Sequence, residues 1–499
     1  MNHLPKAKPV PSAAADGTTV GEPEVASVAS QRAEAPLYAH RIKVYPKSVA
    51  GPFRRIKWVL LTVFLAIYYL VPWLRWDRGP GAPDQAVLID LPGRRAYFLW
   101  IEIWPQEVYY ITGLLVLAAL ALFLVTSLLG RVWCGYACPQ TVWTDLYLLV
   151  ERLIEGDRNA RMRLDRQPWS AGKLARKAAK HAIWLLIALA TGGAWILYFV
   201  DAPSSIGPIL MGQGDAGVYV FVALFTTTTY LLAGWAREQV CTYMCPWPRF
   251  QAAMLDEHSV IVTYQKWRGD PRGKHKAGTS WEGRGDCIDC GQCIAVCPTG
   301  IDIRDGQQLE CIGCGLCVDA CDGVMAKVDR PPQLITWDTL ARQDAKAAGR
   351  TAGFRWWRPR VVIYLALIAV VGSVMVAALA LRPTVELSAL RDRSPLWVVL
   401  ADGSIRNAYT LKILNKSRDE ERYRLAFDGL PQARLTIAGS DESDHTVAAH
   451  PDAVATYRIF LSVPAGVRLP ESTPVTLTAT RLSTGETARR DSVFLAPRP

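Results

Sequence analysis

Twelve cysteines carry most of the chemistry this chain can do, and eight of them fall in two runs within 35 residues. Cys287, Cys290, Cys293 and Cys297 form the first run, closed by Pro298, and Cys311, Cys314, Cys317 and Cys321 form the second. Thiolates separated by two residues on a tight turn can hold three corners of an iron–sulfur cube, with the fourth ligand supplied from elsewhere. C-x-x-C pairs also bind zinc, so two zinc sites are the competing reading. Three cysteines at a strict two-residue gap, with a fourth three residues on and the whole pattern repeated, favour iron and sulfide. Such a chain moves electrons one at a time.

The other four cysteines form an internal repeat. Cys134-Gly-Tyr-Ala-Cys138-Pro139 recurs as Cys241-Thr-Tyr-Met-Cys245-Pro246, an offset of 107 residues (134 to 241, 138 to 245). An acid follows each copy, Asp145 in one and Asp256 in the other. Residues i and i+4 share a face if the segment is helical, and the proline suits a break or a new helix start. Two such pairs meeting at a pseudo-axis would gather four sulfurs, a soft donor set that suits Cu(I) or an iron–sulfur centre. The plainer reading makes them buried small hydrophobes, against which the duplication weighs. Met244 lies inside the second pair and is either a thioether ligand or packing. Cys134, Cys138, Cys241 and Cys245 are thus the candidate copper or redox site, whose metal the residues alone leave open.

These groups have to be positioned by membrane helices. Hydrophobic residues make up 51% of the 499, and 18 are Trp, above an ordinary soluble composition. Five apolar stretches approach the ~20 residues needed to cross a bilayer: Trp58–Trp76, Val108–Leu129, Ile183–Val200, Val218–Trp235 and Val361–Leu381. Lys and Arg number nine in the first 57 residues, ten in 130–180 and seventeen in 236–360, against four in 74–108 and none in 201–217. That alternation predicts a cytoplasmic N-terminus, five spans and an exported C-terminal region. The net charge of +11 is then a topology signal, and nucleic acid is not an expected partner. Residues 1–35 lack the apolar core of a signal peptide and read as a disordered tail. Every cysteine falls on the cytoplasmic side, where thiols stay reduced, and none lies after residue 382.

The double run resembles that of two-cluster ferredoxins, in which the last cysteine of each run serves the other cluster. That resemblance implies one [4Fe–4S] cluster on Cys287, Cys290, Cys293 and Cys321, and another on Cys311, Cys314, Cys317 and Cys297. Cys321-Asp322 stands where ferredoxins usually place Cys-Pro, a change in the turn that removes no ligand. From about residue 37 the chain also resembles the FixG/CcoG/RdxA cytochrome c oxidase accessory proteins. The resemblance rests on Gly130–Pro139, Cys241–Trp247 and Cys311–Cys317 and on the order of elements. It implies a bacterial inner-membrane protein that reduces Cu(II) to Cu(I) for assembly of a cbb3-type oxidase. The expected partners are that oxidase, its copper-handling factors and an unidentified electron donor.

The expected fold is a polytopic α-helical membrane protein with a cytoplasmic ferredoxin-like domain and a periplasmic all-β domain. Its divisions are a tail (1–55), a four-span domain (56–250), the two-cluster domain (251–360), the fifth span (361–382) and the β-domain (383–499). Leu396–Leu400, Arg406–Leu414, Ala433–Ala438 and Pro474–Ala479 are short and strand-like between turn residues, and the family resemblance implies an immunoglobulin-like sandwich. It would dock an exported partner or simply cap the structure.

Other chemistries find little support. Among seven histidines only His181 lies near a span, and no Cys-x-x-Cys-His haem motif or nucleotide-binding glycine loop occurs. Asp256, Glu257 and His258 read as a solvated helix end rather than a proton relay. Two rival functions remain: a quinol dehydrogenase subunit feeding a periplasmic reductase, and a non-enzymatic copper chaperone or assembly scaffold. The β-domain and the missing haem motif favour the accessory-protein reading.

Overall fold

The computed structural model describes residues 43–79, 82–275, 278, 280–439 and 444–497. The tail expected over residues 1–35 lies outside them. Among the described residues, five helices are long and apolar enough to cross a membrane: Pro52–Trp73, Pro105–Leu129, Ala171–Ile196, Ala216–Ala236 and Pro359–Ala380. Their regular α-helical parts are α1 (Pro52–Leu70), α2 (Tyr109–Leu129), α4 (Ala171–Ile196), α5 (Ala216–Thr229) and α7 (Pro359–Ala380). Between the second and third spans lies α3 (Pro139–Glu155), and α6 (Leu316–Met325) carries the end of the second cysteine run.

Two spans begin earlier than their apolar cores, because buried carboxylates neutralise basic residues in their opening turns. Arg54 reaches Asp145 on α3 at 2.8 Å and Lys57 lies 3.7 Å from the same carboxylate. The third span starts at Ala171, capped by Ser170, whose hydroxyl accepts from the Lys173 N–H at 3.3 Å. Lys177 and Lys180 then pair with Glu155 at 2.9 and 3.0 Å. Isolated charges would be costly there; paired ones extend the helix.

At one end of the bundle sits the cysteine-rich unit. Strands β4 (Ile261–Tyr264) and β5 (Ile335–Asp338) pair antiparallel, with Ile261 opposite Asp338. Val262, Tyr264, Val318, Met325, Leu334 and Ile335 form its core, and Cys287 and Cys293 are part of it.

At the other end the connection between the first two spans folds into an antiparallel sheet of β1 (Val87–Asp90), β2 (Arg95–Phe98) and β3 (Ile101–Ile103). The sequence reading had only a connection there, since strands of three or four residues carry too little periodicity to register.

The C-terminal region is a sandwich of two antiparallel sheets. One orders β10 (Arg434–Ile437), β12 (Ala453–Val463), β8 (Ile405–Asn415) and β6 (Val385–Arg391), with β7 (Val398–Val399) beside β8; the other orders β11 (Thr446–Ala449), β9 (Glu421–Asp428), β13 (Ser472–Arg481) and β14 (Thr487–Leu495). Along β8, Asn407, Tyr409, Leu411 and Ile413 are buried while Thr410 and Lys412 between them are not, the period of a half-buried strand. The strand expected over Leu396–Leu400 shrinks to the two residues of β7, an edge strand whose valines are exposed. Ionic contacts seat the sandwich on the bundle. Glu107 accepts from Arg382 at 2.7 Å and Lys416 at 2.6 Å, and Arg95 on β2 holds the Asp452 carbonyl at 2.6 Å.

Candidate metal centres

The first cysteine group forms around one small pocket. Cys287, Cys290, Cys293 and Cys321 line a common cavity with Tyr264, Arg304, Leu334 and Ile335. Gly291 (φ 63°) and Gly315 (φ 70°) adopt left-handed conformations just before the short helix carrying Cys293 and before α6. A side chain would strain that turn, so the Cys-Gly-x-Cys spelling recurs for a reason of shape. Burial pushes the Cys293 thiol up to about 11, and nearby Arg304 opposes the rise. Cys321 lies within electrostatic reach of Cys293 and Cys287 and is pushed up to about 12, again chiefly by burial. Four sulfurs around one cavity, with burial raising the Cys293 and Cys321 thiols, fit a group whose positive metal would hold them deprotonated.

The second group comprises Cys297, Cys311, Cys314 and Cys317. Cys297 acts electrostatically on each of the other three, and burial is the main cause of their raised values. Cys297 thus lies within electrostatic reach of the second run's first three cysteines, and Cys321 within reach of Cys287 and Cys293 of the first.

The repeated pairs adopt a conformation the sequence did not specify. Trp133–Ala137 and Val240–Met244 are π-helical turns at equivalent positions of the two copies. Each ends where a cysteine turns extended: the Cys138 N–H donates to Trp133 O at 2.9 Å, and the Cys245 N–H to Val240 O at 2.7 Å. Each is also preceded by a residue of positive φ, Gly130 at 63° and Arg237 at 44°. Arg237 pays for that geometry with a buried clamp on Glu151, at 2.6 and 3.1 Å; such backbone costs on the order of 1–3 kcal/mol and clusters at functional sites. Single-turn π segments have the same habit.

Cys134, Cys138, Cys241 and Cys245 all border one cavity of about 220 Å³, together with Arg131, Trp133, Gln140, Trp247 and Cys311. Cys134 and Cys241 are each pushed up to about 12, by burial first and then by neighbouring cysteines. The Cys134 thiol donates to Gln251 Oε1 at 3.2 Å, and Cys245 is exposed. Met244 is exposed too. Among the described residues no three or more His, Cys, Asp or Glu side chains are arranged to hold a single metal ion.

This cavity abuts the second cysteine group. A Cβ on Gly135 would lie 2.9 Å from Ile312 O and 3.0 Å from Cys314 Cα, so the two main chains touch where no side chain fits. Tyr136 OH donates to Cys314 O at 2.9 Å, and Arg131 binds Cys311 O at 3.2 Å. Cys311 borders both sites. Arg131, Tyr136, Trp247 and Gln251 were not singled out by the sequence reading. The first three stand within or beside the repeated motif, whereas Gln251 has no sequence signal.

The remaining sequence candidates find ordinary partners. His181 Nδ1 is 2.9 Å from Tyr230 OH and its ring stacks on Trp235. Asp256 accepts from the His258 N–H at 2.9 Å and pairs with Arg358, closing a turn.

A family described as a 4Fe-4S dicluster domain matches residues 236–340, and a 4Fe-4S binding domain matches residues 111–155. A family described as the IG-like fold at the C-terminal of FixG matches residues 375–497. Nitrogen fixation protein FixG of Rhizobium meliloti is 50% identical over 497 residues, 93% of this chain and 93% of its own. Protein RdxA of Cereibacter sphaeroides is 51% identical over 434 residues, 86% of this chain and 91% of its own. Protein RdxB of the same organism is 48% identical over 464 residues, 92% and 97%. A crystal structure of a FixG-related protein from Vibrio parahaemolyticus, 23% identical, covers 23% of this chain and 98% of its own at a TM-score of 0.21.

Proposed function

The chain belongs to the FixG/RdxA family of membrane iron–sulfur proteins, and from that premise we propose that it reduces Cu(II) to Cu(I) for assembly of a cbb3-type cytochrome c oxidase. Cys287, Cys290, Cys293 and Cys321 hold one [4Fe–4S] cluster, and Cys297, Cys311, Cys314 and Cys317 the other. When bound, the clusters supply one-electron storage and transfer. The cysteine-rich unit and the N-terminus are cytoplasmic and the sandwich periplasmic, a reading supported by the Lys/Arg asymmetry.

The observation that carries this reading is the contact of Gly135 and Tyr136 with the Ile312–Cys314 main chain. It brings a soft four-sulfur site against the cluster ligands with no intervening layer. Cu(II) gains one electron and no atoms, so the protein's task is position and potential rather than proton transfer. The cavity's apolar walls, Leu122, Trp133 and Val240, limit water beside the sulfurs. The cbb3 assignment and its partners rest on the family resemblance.

The test is to reduce the purified full chain anaerobically, remove excess reductant and add Cu(II). Recovery of the oxidised visible spectrum, with one Cu(I) trapped by chelator per electron lost, is the expected result. A reduced spectrum that persists beside bound Cu(II) would leave the chaperone or scaffold reading instead.

A further inference from the structure

Two hydrogen-bond donors on the four-cysteine cavity have no acceptor. Arg131 is buried, and its terminal nitrogens are committed to the carbonyl oxygens of Leu309, Cys311 and Pro248. Its Nε–H is left over, and so is the Nε1–H of Trp247. Both side chains line the cavity. A buried donor without a partner costs roughly 1–3 kcal/mol, so two of them on one cavity call for an occupant that brings acceptor atoms. A bare copper ion brings none. The sulfides of an iron–sulfur unit accept such bonds, and these bonds tune its potential.

Size and spacing agree with this chemistry. The cavity of about 220 Å³ is several times the ~30 Å³ share of one water molecule, room for a body of several atoms. The sulfurs surround it without converging tightly enough for one ion. A cube places its cysteine ligands around a body several atoms across, whereas a mononuclear site draws them onto one point.

We propose that Cys134, Cys138, Cys241 and Cys245 hold a third iron–sulfur centre, with Arg131 and Trp247 donating hydrogen bonds to its sulfides. Its role as the electron exit rests on the function proposed above, while its existence does not. Copper then meets the centre from outside, on the side where Cys245 is exposed.

The experiment is anaerobic reconstitution of the full chain in detergent with ferrous iron and sulfide, followed by iron analysis and EPR of the dithionite-reduced protein. About twelve irons per chain are expected rather than about eight, at four per cube. The double variant Cys138→Ser/Cys245→Ser should lose about four of them while two EPR signals persist, which also shows that the variant folds. Trp247→Phe, which keeps an aromatic ring though a smaller one and removes the N–H, should move the third centre to lower potential and leave the other two in place. About eight irons in the reconstituted wild type, or unchanged iron in the double cysteine variant, overturns the third centre. An unshifted third signal in Trp247→Phe overturns the donor assignment. Twelve irons with no reoxidation by Cu(II) would sink only the copper reading, and eight with full copper reduction would sink only this one.

Discussion

The carboxylate of Asp319 caps the first membrane helix: its Oδ2 accepts the main-chain N–H of Arg54 at 2.8 Å, and its Oδ1 that of Phe53 at 3.2 Å. Asp319 stands on α6 between Cys317 and Cys321, so one side chain ties the second cysteine run to the bundle. α1 has no cap of its own, because its N-cap residue is Gly51, and a carboxylate at that end is favoured by the unpaired N–H groups and the helix dipole.

Asp319→Ala should therefore loosen the joint by about 1–2 kcal/mol, with Asp319→Asn milder because an acceptor remains. Gly51→Ala should act in the same direction, since its Cβ would fall 2.3 Å from Asp319 Cγ. Hydrogen exchange over residues 44–58 is the measurement. Protection there that does not change in any of the three variants would show that the cap does not hold the joint.

Replacing Gly135 tests the contact between the two sulfur sites. Gly135→Val must push residues 312–314 away, because even a Cβ would sit 2.9 Å from Ile312 O. A misplacement of about 1 Å can cost on the order of 100-fold in a position-sensitive step. Stopped-flow reoxidation by Cu(II) should slow at least tenfold, by that reasoning, with iron content kept. An unchanged rate would mean that electrons leave by another route.

The seat of the sandwich should respond to pH. Glu102 on β3 is pushed up to about 7 from 4.5, first by burial and then by the Asp452 carboxylate, with Arg95 opposing. The seated state therefore binds a proton that the unseated state releases, between roughly pH 4.5 and 7. Seating is strongest below that window and weakens as pH rises through it. Thermal unfolding of the full chain followed from pH 5 to 8 should show this slope, and Glu102→Gln should flatten it. A slope of equal size in Glu102→Gln would assign the effect to other groups.

Topology has its own check. A reporter fused after Pro499 is expected outside and one inserted near Gly278 inside, from the Lys/Arg distribution. Both reporters on one side would contradict a five-span arrangement.

What is encoded locally was legible in the chain alone. Cysteine spacing within each run, the apolar length of each span and the alternation in β8 are all set by residues a few positions apart, so they are legible before any folding is considered. The duplicated Cys-x-x-x-Cys-Pro pairs were visible too, but their π-helical turns were not, because the i→i+5 bond leaves no signature in residue type. Long-range packing set which sulfurs share a cavity, that Cys311 borders two sites, and that Arg131 and Trp247 each leave an N–H unpaired there. It also decided that α1 begins at Pro52, because Asp145 and Asp319 reach it from positions 91 and 265 residues away. Those are pairings of groups distant in the chain, chosen when buried charges and N–H groups must find partners in a packed interior, and no local pattern records the choice.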